Sequence, residues 1–169
     1  MPEGEGLRPT PDRIRETLFN WLAFDVPGAH VLDCFAGAGG LGFEAASREA
    51  RRVTMIDKAR SAVTSLQRQS AKLGTQNIEL IHDDVLHFLA QANQPFDLVF
   101  IDPPYAQGHL REQVLDALLE KKLLNNKALI YMEWPQHQQM QLNHAELTWV
   151  KQKKASCVCY AIAQYDLTG

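Results

Sequence analysis

The sequence has few cysteines, no long apolar run and no excess of positive charge. Its three cysteines, Cys34, Cys157 and Cys159, are odd in number and form no disulfide framework. Cys157 and Cys159 would share one strand face, but no nearby histidine or cysteine pair completes a ligand set, so we expect no metal site. No apolar run approaches bilayer-spanning length, and the amino terminus lacks a signal-peptide pattern. We therefore expect a cytoplasmic protein that does not contact membranes.

The formal net charge of −3 argues against a protein that coats nucleic acid non-specifically. A local basic patch is still possible, because the basic residues cluster near the start, around the second predicted strand and near the end. They are Arg8, Arg13 and Arg15; Arg51, Arg52, Lys58 and Arg60; and Lys151, Lys153 and Lys154. Arg13 and Arg15 are candidates for contact with a cofactor carboxylate or a phosphate. A solvated face is the alternative for these two arginines, and also for Lys151, Lys153 and Lys154.

The chain length of 169 residues predicts one domain with a substantial core. Residues 1–9 contain glycines and prolines without periodicity and are interpreted as a tail or linker, which leaves 10–169 as the domain. Strands then alternate with helices, which predicts a doubly wound, Rossmann-like α/β sheet, mostly parallel. The predicted strands are 29–35, 52–56, 77–81, 96–101 and 128–133, with 147–150 and 156–165 as a closing antiparallel hairpin joined by a lysine-rich turn; the predicted helices begin after Thr10 and span about 40–50, 59–73, 85–92 and 110–121.

The most informative stretch is the strand Phe96–Ile101 and the Asp102-Pro103-Pro104-Tyr105 segment that follows it. The prolines prevent the strand from continuing, so these four residues are expected at a carboxyl end, where open α/β sheets bind ligands. Prolines have no N–H group, so this turn presents carbonyl and carboxylate acceptors, and Tyr105 offers a face for stacking. Two acceptors that hold the hydrogens of an exocyclic base amine would localise its lone pair and stabilise the developing positive charge. The alternative is a strand-ending turn with a surface tyrosine.

A glycine-rich turn, Ala36–Gly42, follows the first predicted strand. Gly37, Gly39 and Gly42 have the G-x-G-x-x-G spacing, and Asp57 lies 20 positions after Gly37, where an acid is expected to bind ribose hydroxyls. Asp57 could instead cap the next helix. Both a dinucleotide and S-adenosylmethionine fit this pattern, but Asp33 precedes the glycines, and its carboxylate suits a cationic amino-acid group better than a pyrophosphate.

Together, Asp33-Cys-Phe-Ala-Gly-Ala-Gly-Gly40 and Asp102-Pro-Pro-Tyr105 resemble the class I S-adenosylmethionine-dependent amino-methyltransferases. Leu7–Trp21, with the sequence LRPTPDRIRETLFNW, is similar to the signature of the bacterial 16S ribosomal RNA guanine-N2 methyltransferases of the RsmD family. The resemblance covers nearly the whole chain from Gly6 onward. It implies about seven strands, and methylation of one guanine in 16S ribosomal RNA, on an assembling small subunit, by a monomer.

Carried over residue by residue, the resemblance assigns three groups of site residues. The cofactor-binding residues would be Asp33, Phe35, Gly37 and Gly39 around the methionine part, Asp57 at the ribose and Asp84 at the adenine; the catalytic residues would be Asp102, Pro103, Pro104 and Tyr105; and the RNA-binding residues would be Arg8, Arg13 and Arg15. Asp84 could also be only a helix cap. The chain departs from the family pattern at Ala38, where serine is usual, at Asp57, where glutamate is usual, and in lacking a basic, glycine-containing segment before the first helix.

Two other functions remain open from the sequence. One is a different amino-methyltransferase that acts on the N6 amine of DNA adenine or on a protein glutamine, because the Asp-Pro-Pro-Tyr element is shared among such enzymes. The other is a non-catalytic RNA-binding assembly factor that keeps the fold. Ala38 slightly favours the assembly factor, and the intact Asp102–Tyr105 corner opposes it.

Overall fold

Seven strands form one sheet in the computed structural model, which describes residues 12–167. The strands are β1 (His30–Asp33), β2 (Arg52–Asp57), β3 (Ile78–His82), β4 (Phe96–Ile101), β5 (Leu124–Pro135), β6 (Leu147–Ala155) and β7 (Val158–Tyr165). Their spatial order is β3-β2-β1-β4-β5-β7-β6. The first five strands are mutually parallel, and β7 pairs antiparallel with both β5 and β6. The predicted doubly wound sheet with a carboxyl-terminal antiparallel hairpin is confirmed.

Helices cover both faces of this sheet. They are α1 (Asp12–Trp21), α2 (Gly40–Ser47), α3 (Arg60–Leu73), α4 (Val85–Gln91) and α5 (Leu110–Glu120), with one 3-10 turn at Tyr105–Gln107. Apolar residues of α1, α2 and α3 share one core with the sheet, and those of α4 and α5 share the other. The central strand β4 is buried along nearly its whole length because both cores press on it. None of the described helices is long and apolar enough to cross a membrane.

The strand order reverses between β1 and β4. From β1 the chain moves outward to β2 and β3, and it then returns to the other side of β1 as β4. At such a switch point the loops that leave the two neighbouring strands diverge to opposite faces, which opens a crevice at the carboxyl edge. The glycine-rich turn leaves β1 there, and the Asp102–Tyr105 corner leaves β4 there. The topology therefore brings the two principal sequence motifs together.

Two local predictions differ from the structure, one is met in part, and a few lie outside the described residues. The helical spacing of Ala62, Val63, Leu66 and Leu73 predicts that all four face inward, but Leu73 is 61% exposed, because it is the last residue of α3 before the left-handed Gly74. Trp21, predicted to lie on the inward face of the first helix, is partly buried, packs against the core and stacks on Tyr160 with ring centroids 5.4 Å apart. The lysines assigned to a turn belong to the edge strand β6, whose solvated residues give no apolar alternation to detect. The predictions that concern Arg8, the Thr10 cap and the 1–9 tail lie outside the described residues.

Candidate active site

Three aspartates stand at the carboxyl ends of adjacent strands around the switch point. Asp33 ends β1, Asp57 ends β2, and Asp102 follows β4. All three line one cavity of about 830 Å³. The cavity wall also includes the glycine-rich turn, the start of α2, and Asp84, Pro103 and Pro104. The structure thus places most of the predicted site residues around a single space.

Asp33 is the most buried of these acids, with 3% of its surface exposed. The backbone N–H groups of Phe35 and Gly42 donate hydrogen bonds to its carboxylate. Burial nevertheless dominates and, with some repulsion from Asp57, raises the pKa of Asp33 to about 7. A carboxylate held this way is ready to accept a cationic ligand, because a neighbouring positive charge would relieve the unfavourable burial of its own charge.

Asp57 connects the glycine-rich turn to the second helix of the site. Its Oδ2 accepts a hydrogen bond from the Gly37 N–H at 2.9 Å, and its Oδ1 accepts one from the Ala59 N–H at 2.9 Å. Ala59 is the N-cap residue of α3, and no described side chain caps this helix, so Asp57 supports the chain just before α3 but does not cap it as the alternative interpretation expected. Each carboxylate oxygen has a second acceptor site, so hydroxyl groups of a ligand could still donate to Asp57.

The glycines of the turn serve different purposes. Gly37 and Gly39 adopt φ values of 54° and 91°, in the left-handed region that favours glycine. A Cβ at Gly39 would lie 2.5 Å from the Phe43 ring, and one at Gly42 would lie 2.7 Å from the Met55 side chain. The turn therefore needs glycine for its backbone conformation at Gly37, for packing at Gly42, and for both reasons at Gly39.

Asp84 is both a helix cap and a cavity residue. Its Oδ1 accepts hydrogen bonds from the N–H groups of Leu86 at 2.9 Å and His87 at 3.2 Å, so it caps α4. It also lines the cavity. Neighbouring Asp83 forms an ion pair with the ring of His87, at 2.9 Å from Nδ1, which raises the pKa of His87. The cap interpretation is correct for Asp84, and contact with a ligand adenine stays a prediction.

The Asp102–Tyr105 corner is divided between the cavity and the surface. Asp102 is half-buried and Pro103 is buried, and both line the cavity together with Pro104. Tyr105 begins the 3-10 turn, is 52% exposed, and does not form part of the cavity wall. Its predicted stacking against a base would therefore take place at the rim of the cavity.

A buried polar network lies behind this corner, and sequence reasoning missed it. The Tyr131 hydroxyl donates to Glu133 Oε2 at 2.5 Å, and Glu133 is only 1% exposed. Burial, followed by the charges of Glu133 and Asp102, raises the pKa of Tyr131 well above its ordinary value. Arg111 donates from Nε to the Glu133 carbonyl at 2.7 Å and from Nη1 to the Gly108 carbonyl at 3.1 Å. Arg111 thereby fastens the loop after Tyr105 to the end of β5.

The arginines predicted to bind RNA have separate locations. Arg15 lines the cavity, next to Gly40 at the start of α2, whereas Arg13 is exposed on α1. Arg8 lies outside the described residues. The cavity also has lining residues that no motif indicated, among them Lys58, Gln69, Gln107 and Leu110. These residues lie on helices and loops whose side chains have no distinctive spacing in the sequence.

Comparison with known proteins identifies the family. The chain matches a family described as conserved hypothetical protein 95 over residues 1–164. It is 39% identical over 169 residues to ribosomal RNA small subunit methyltransferase D of Escherichia coli, covering 100% of this chain and 85% of the relative. The chain belongs to the methyltransferase D family. The relative of the same name from Haemophilus influenzae is 41% identical over 164 residues, covering 95% of this chain and 84% of the relative. The family prediction made from Leu7–Trp21 and the two site motifs is confirmed.

Solved structures of similar proteins agree with the methyltransferase D assignment. A candidate methyltransferase, yhhF, from Escherichia coli superposes with a TM-score of 0.88 at 37% identity, covering 94% of this chain and 89% of that one. A candidate methylase from Haemophilus influenzae superposes with a TM-score of 0.82 at 38% identity, covering 92% of this chain and 98% of that one. A Streptococcus mutans protein solved in complex with S-adenosylhomocysteine gives 0.72 at 12% identity, covering 92% and 99%, and shows likeness of fold alone. Within this family, the chain has the expected Rossmann-like methyltransferase fold.

Proposed function

We propose that this protein transfers a methyl group from S-adenosylmethionine to the exocyclic N2 amine of one guanine in 16S ribosomal RNA, in an assembling small subunit. The observation that carries the proposal is that the acidic, glycine-rich cradle and the Asp102-Pro103-Pro104 corner line the same cavity. Its relatives are named as methyltransferases of small-subunit ribosomal RNA. A ribosomal substrate would place the protein in the cytoplasm.

The cavity residues fit S-adenosylmethionine chemically. Asp33 presents a buried carboxylate to the amino-acid end, and Asp57 retains acceptor capacity for ribose hydroxyls. A Cβ at Gly39 would lie within 2.8 Å of Phe43 and Leu66, so only glycine fits at this point of the turn. When bound, the cofactor would supply a methyl group bonded to a cationic sulfur, and the leaving group is the neutral thioether that remains after transfer. The protein therefore needs no covalent nucleophile, and Cys34, whose thiol pKa is raised by burial, has only a packing role.

The work of the protein is to position and polarise the amine. The Asp102 carboxylate and the Pro103 carbonyl would accept the two amine hydrogens, and Tyr105 would stack on the base at the rim. Such fixed acceptors stabilise positive charge as it develops on nitrogen. The guanine must leave its stack to enter the cavity, which costs a few kcal/mol and is cheapest in a loop. Arg111 would keep the corner in place through its bonds to the Glu133 and Gly108 carbonyls.

Cofactor binding should depend on pH through Asp33. The pKa of about 7 in the ligand-free protein means that this carboxyl is largely protonated at pH 6, whereas the cationic amine of the cofactor binds the ionised form. We expect affinity for S-adenosylhomocysteine to fall by up to about tenfold per pH unit as the pH drops below the pKa of Asp33. Calorimetry at pH 6 in buffers of different ionisation enthalpy should show proton release on binding.

The matched control for this titration is Asp33→Asn, which should bind more weakly and without the pH dependence. The stability of the ligand-free protein depends on pH in the opposite direction. Because the pKa of Asp33 is raised, the free energy of unfolding falls as the pH rises from about 3.8 to about 7. A wild-type affinity that stays constant between pH 6 and pH 8 would contradict this role for Asp33.

The lysines of β6 would provide a path for RNA phosphates, because they lie close to the level of the carboxyl ends of the parallel strands. In register, Lys153 pairs with Tyr160, and Tyr160 pairs with Glu133. Glu133 directly follows Met132, the partner of Ile101, just as Asp102 directly follows Ile101. At about 4.8 Å per strand, β6 lies about 14 Å from the catalytic corner. Lys151, Lys153 and Lys154 are exposed, no acid occurs between Leu147 and Tyr165, and no described carboxylate forms an ion pair with these lysines.

Replacing all three lysines by glutamine should weaken RNA binding in a salt-dependent way. Each lost phosphate contact lowers the slope of log affinity against log salt by about 0.7 for single strands, so we expect a total change of about 2. The control is the triple variant Lys121→Gln, Lys122→Gln and Lys127→Gln. It removes the same charge just before β5 and near its start, away from the carboxyl ends of the parallel strands. Filter binding to small subunits should separate the two. Equal slopes for both triple variants would mean that the β6 lysines only protect a sheet edge from pairing.

The function itself is tested by following labelled methyl groups. Purified protein and tritiated S-adenosylmethionine are incubated with small subunits from cells that lack the enzyme, with free 16S ribosomal RNA, with DNA and with a peptide release factor. We expect label in the subunits, and N2-methylguanosine when the RNA is digested and analysed by mass spectrometry. Label in DNA adenine or protein glutamine would support the other amino-methyltransferases, and cofactor binding without any transfer would support an assembly factor.

A further inference from the structure

For Arg15 the sequence left three interpretations open, namely a cofactor carboxylate, a phosphate and a solvated helix face. This residue lies on α1, yet it lines the cavity that α2 and the strand ends form. Its Nη1 would be 2.9 Å from a Cβ at Gly40, so the guanidinium rests directly on the first residue of α2. Gly42, two residues further on, donates its N–H to Asp33. Arg15 and Asp33 therefore both contact the first turn of α2.

The cavity has only one other cation among the described residues that line it. That residue is Lys58, which directly follows Asp57 and so belongs to the opposite, ribose-binding end. Glu44 also lines the cavity near Arg15, but its carboxylate is already paired with Arg48 at 2.8 Å. Among the described residues, Arg15 is thus the one cationic side chain at the end of the cavity where the Asp33 carboxylate would bind an amine.

We propose that Arg15 binds the carboxylate of the methionine part of the cofactor, while Asp33 binds its amine. This assignment rests on the proposed function, since it presumes that S-adenosylmethionine occupies the cavity. An α-amino acid carries both charges within one short group, and it therefore requires an anion and a cation placed close together on the protein. Asp33 alone would satisfy only the amine and would repel the carboxylate.

The surroundings of Arg15 favour this role. A guanidinium can bind a carboxylate through two parallel hydrogen bonds, a geometry that lysine cannot reproduce. The first-turn N–H groups of α2 have no partners within the helix and add a favourable field for an anion. The present partner of Arg15 is Asp12 at 2.9 Å, and the Asp12 side chain is 94% exposed. Such an exposed pair contributes little stability and can be exchanged for a buried ligand carboxylate.

The two arginines of helix α1 have different surroundings. In the sequence, Arg13 and Arg15 belong to one basic cluster and were both candidates for a cofactor carboxylate or a phosphate, and the family resemblance assigned both to RNA. The structure separates them, because Arg13 is exposed whereas the side chain of Arg15 is two-thirds covered, with 33% exposed. Helix α1 would then contribute one cofactor-binding side chain, so cofactor binding would add to the contacts that hold α1 against the core.

The test compares two ligands that differ only by the carboxylate. S-adenosylmethionine and its decarboxylated analogue are titrated by calorimetry into the wild type, Arg15→Gln, Arg15→Lys and Lys58→Gln. For Arg15→Gln we expect the affinity for S-adenosylmethionine to fall by about 10- to 100-fold, as for a lost hydrogen bond to a charged group. Its affinity for the decarboxylated analogue should change by less than about twofold. The wild type should prefer the carboxylated ligand, and Arg15→Gln should lose that preference.

The control variants make the result specific. Lys58→Gln removes a cation from the other end of the same cavity and should keep the wild-type ratio of the two affinities. Arg15→Lys should recover part of the preference, because it keeps the charge but not the paired hydrogen bonds. Equal weakening of both ligands by Arg15→Gln, or no weakening of either, would overturn the assignment. Failure of the wild type to bind S-adenosylmethionine at all would instead overturn the proposed function.

Discussion

Asp102→Ala is expected to lower kcat for methyl transfer by about 10²- to 10³-fold, the range seen when a preorganised polar group at a reacting centre is removed. The reason is that Asp102 supplies one of the acceptors that hold the amine, and the Pro103 carbonyl alone cannot fix both hydrogens. The dissociation constant for S-adenosylhomocysteine should stay within about twofold of the wild type, because the cofactor-binding acids lie on other strands. Single-turnover rates on small subunits, with calorimetry for the cofactor, measure the two quantities.

The control for Asp102 is the isosteric Asp102→Asn. Its amide oxygen can still accept one hydrogen bond, but it carries no charge, so its kcat should fall between those of the wild type and the alanine variant. The buried Tyr131 adds an internal check, since the charge of Asp102 contributes to its raised pKa, and both substitutions should lower that pKa. If cofactor affinity is lost together with activity, Asp102 belongs to the cofactor site and the proposed catalytic role is wrong.

The sequence predicts the sheet well because its strands are short apolar runs with clear stops. Phe96–Ile101 was predicted with both ends correct, since an acid and two prolines follow a run that is buried almost throughout. The same logic placed Asp33, Asp57 and Asp102 at one edge, because parallel strands bring their carboxyl ends together. For these residues, position in the sequence nearly determines position in space.

Side chains that reach the site from outside the strand ends could not be predicted in this way. Arg111 lies on an amphipathic helix, where a charged residue usually marks a solvated face, and for Arg15 the sequence could not choose between a cofactor carboxylate, a phosphate and a solvated face. Burial of Arg111 depends on two carbonyls, from Gly108 and Glu133, that approach it only in the folded chain. Glu133 itself lies in a strand whose residues are almost all buried, so its alternation gives no sign of a polar network. Tertiary proximity, which no local pattern encodes, decides these cases.

Gly39→Ala is expected to disable the cofactor site and destabilise the fold. At φ 91° an alanine costs about 1–2 kcal/mol in backbone strain, and its Cβ would lie 2.5 Å from the Phe43 ring and 2.8 Å from Leu66, where overpacking costs about 1–3 kcal/mol more. For a chain of this size, a total of about 2–5 kcal/mol lowers Tm by about 4–20 °C. Because the clash also displaces the turn held by Asp57, affinity for S-adenosylhomocysteine should fall at least about tenfold.

Gly28→Ala separates the two causes of this loss. Gly28 has a similar φ of 79°, but an added Cβ would meet nothing within 4 Å, so the substitution introduces only the backbone strain. Its Tm should fall by about 2–8 °C, and cofactor affinity should be unchanged because Gly28 is absent from the cavity wall. Differential scanning calorimetry and ligand titration of both variants give the comparison. If Gly39→Ala is no worse than Gly28→Ala in either measurement, close packing against Phe43 and Leu66 is not what shapes the cofactor turn.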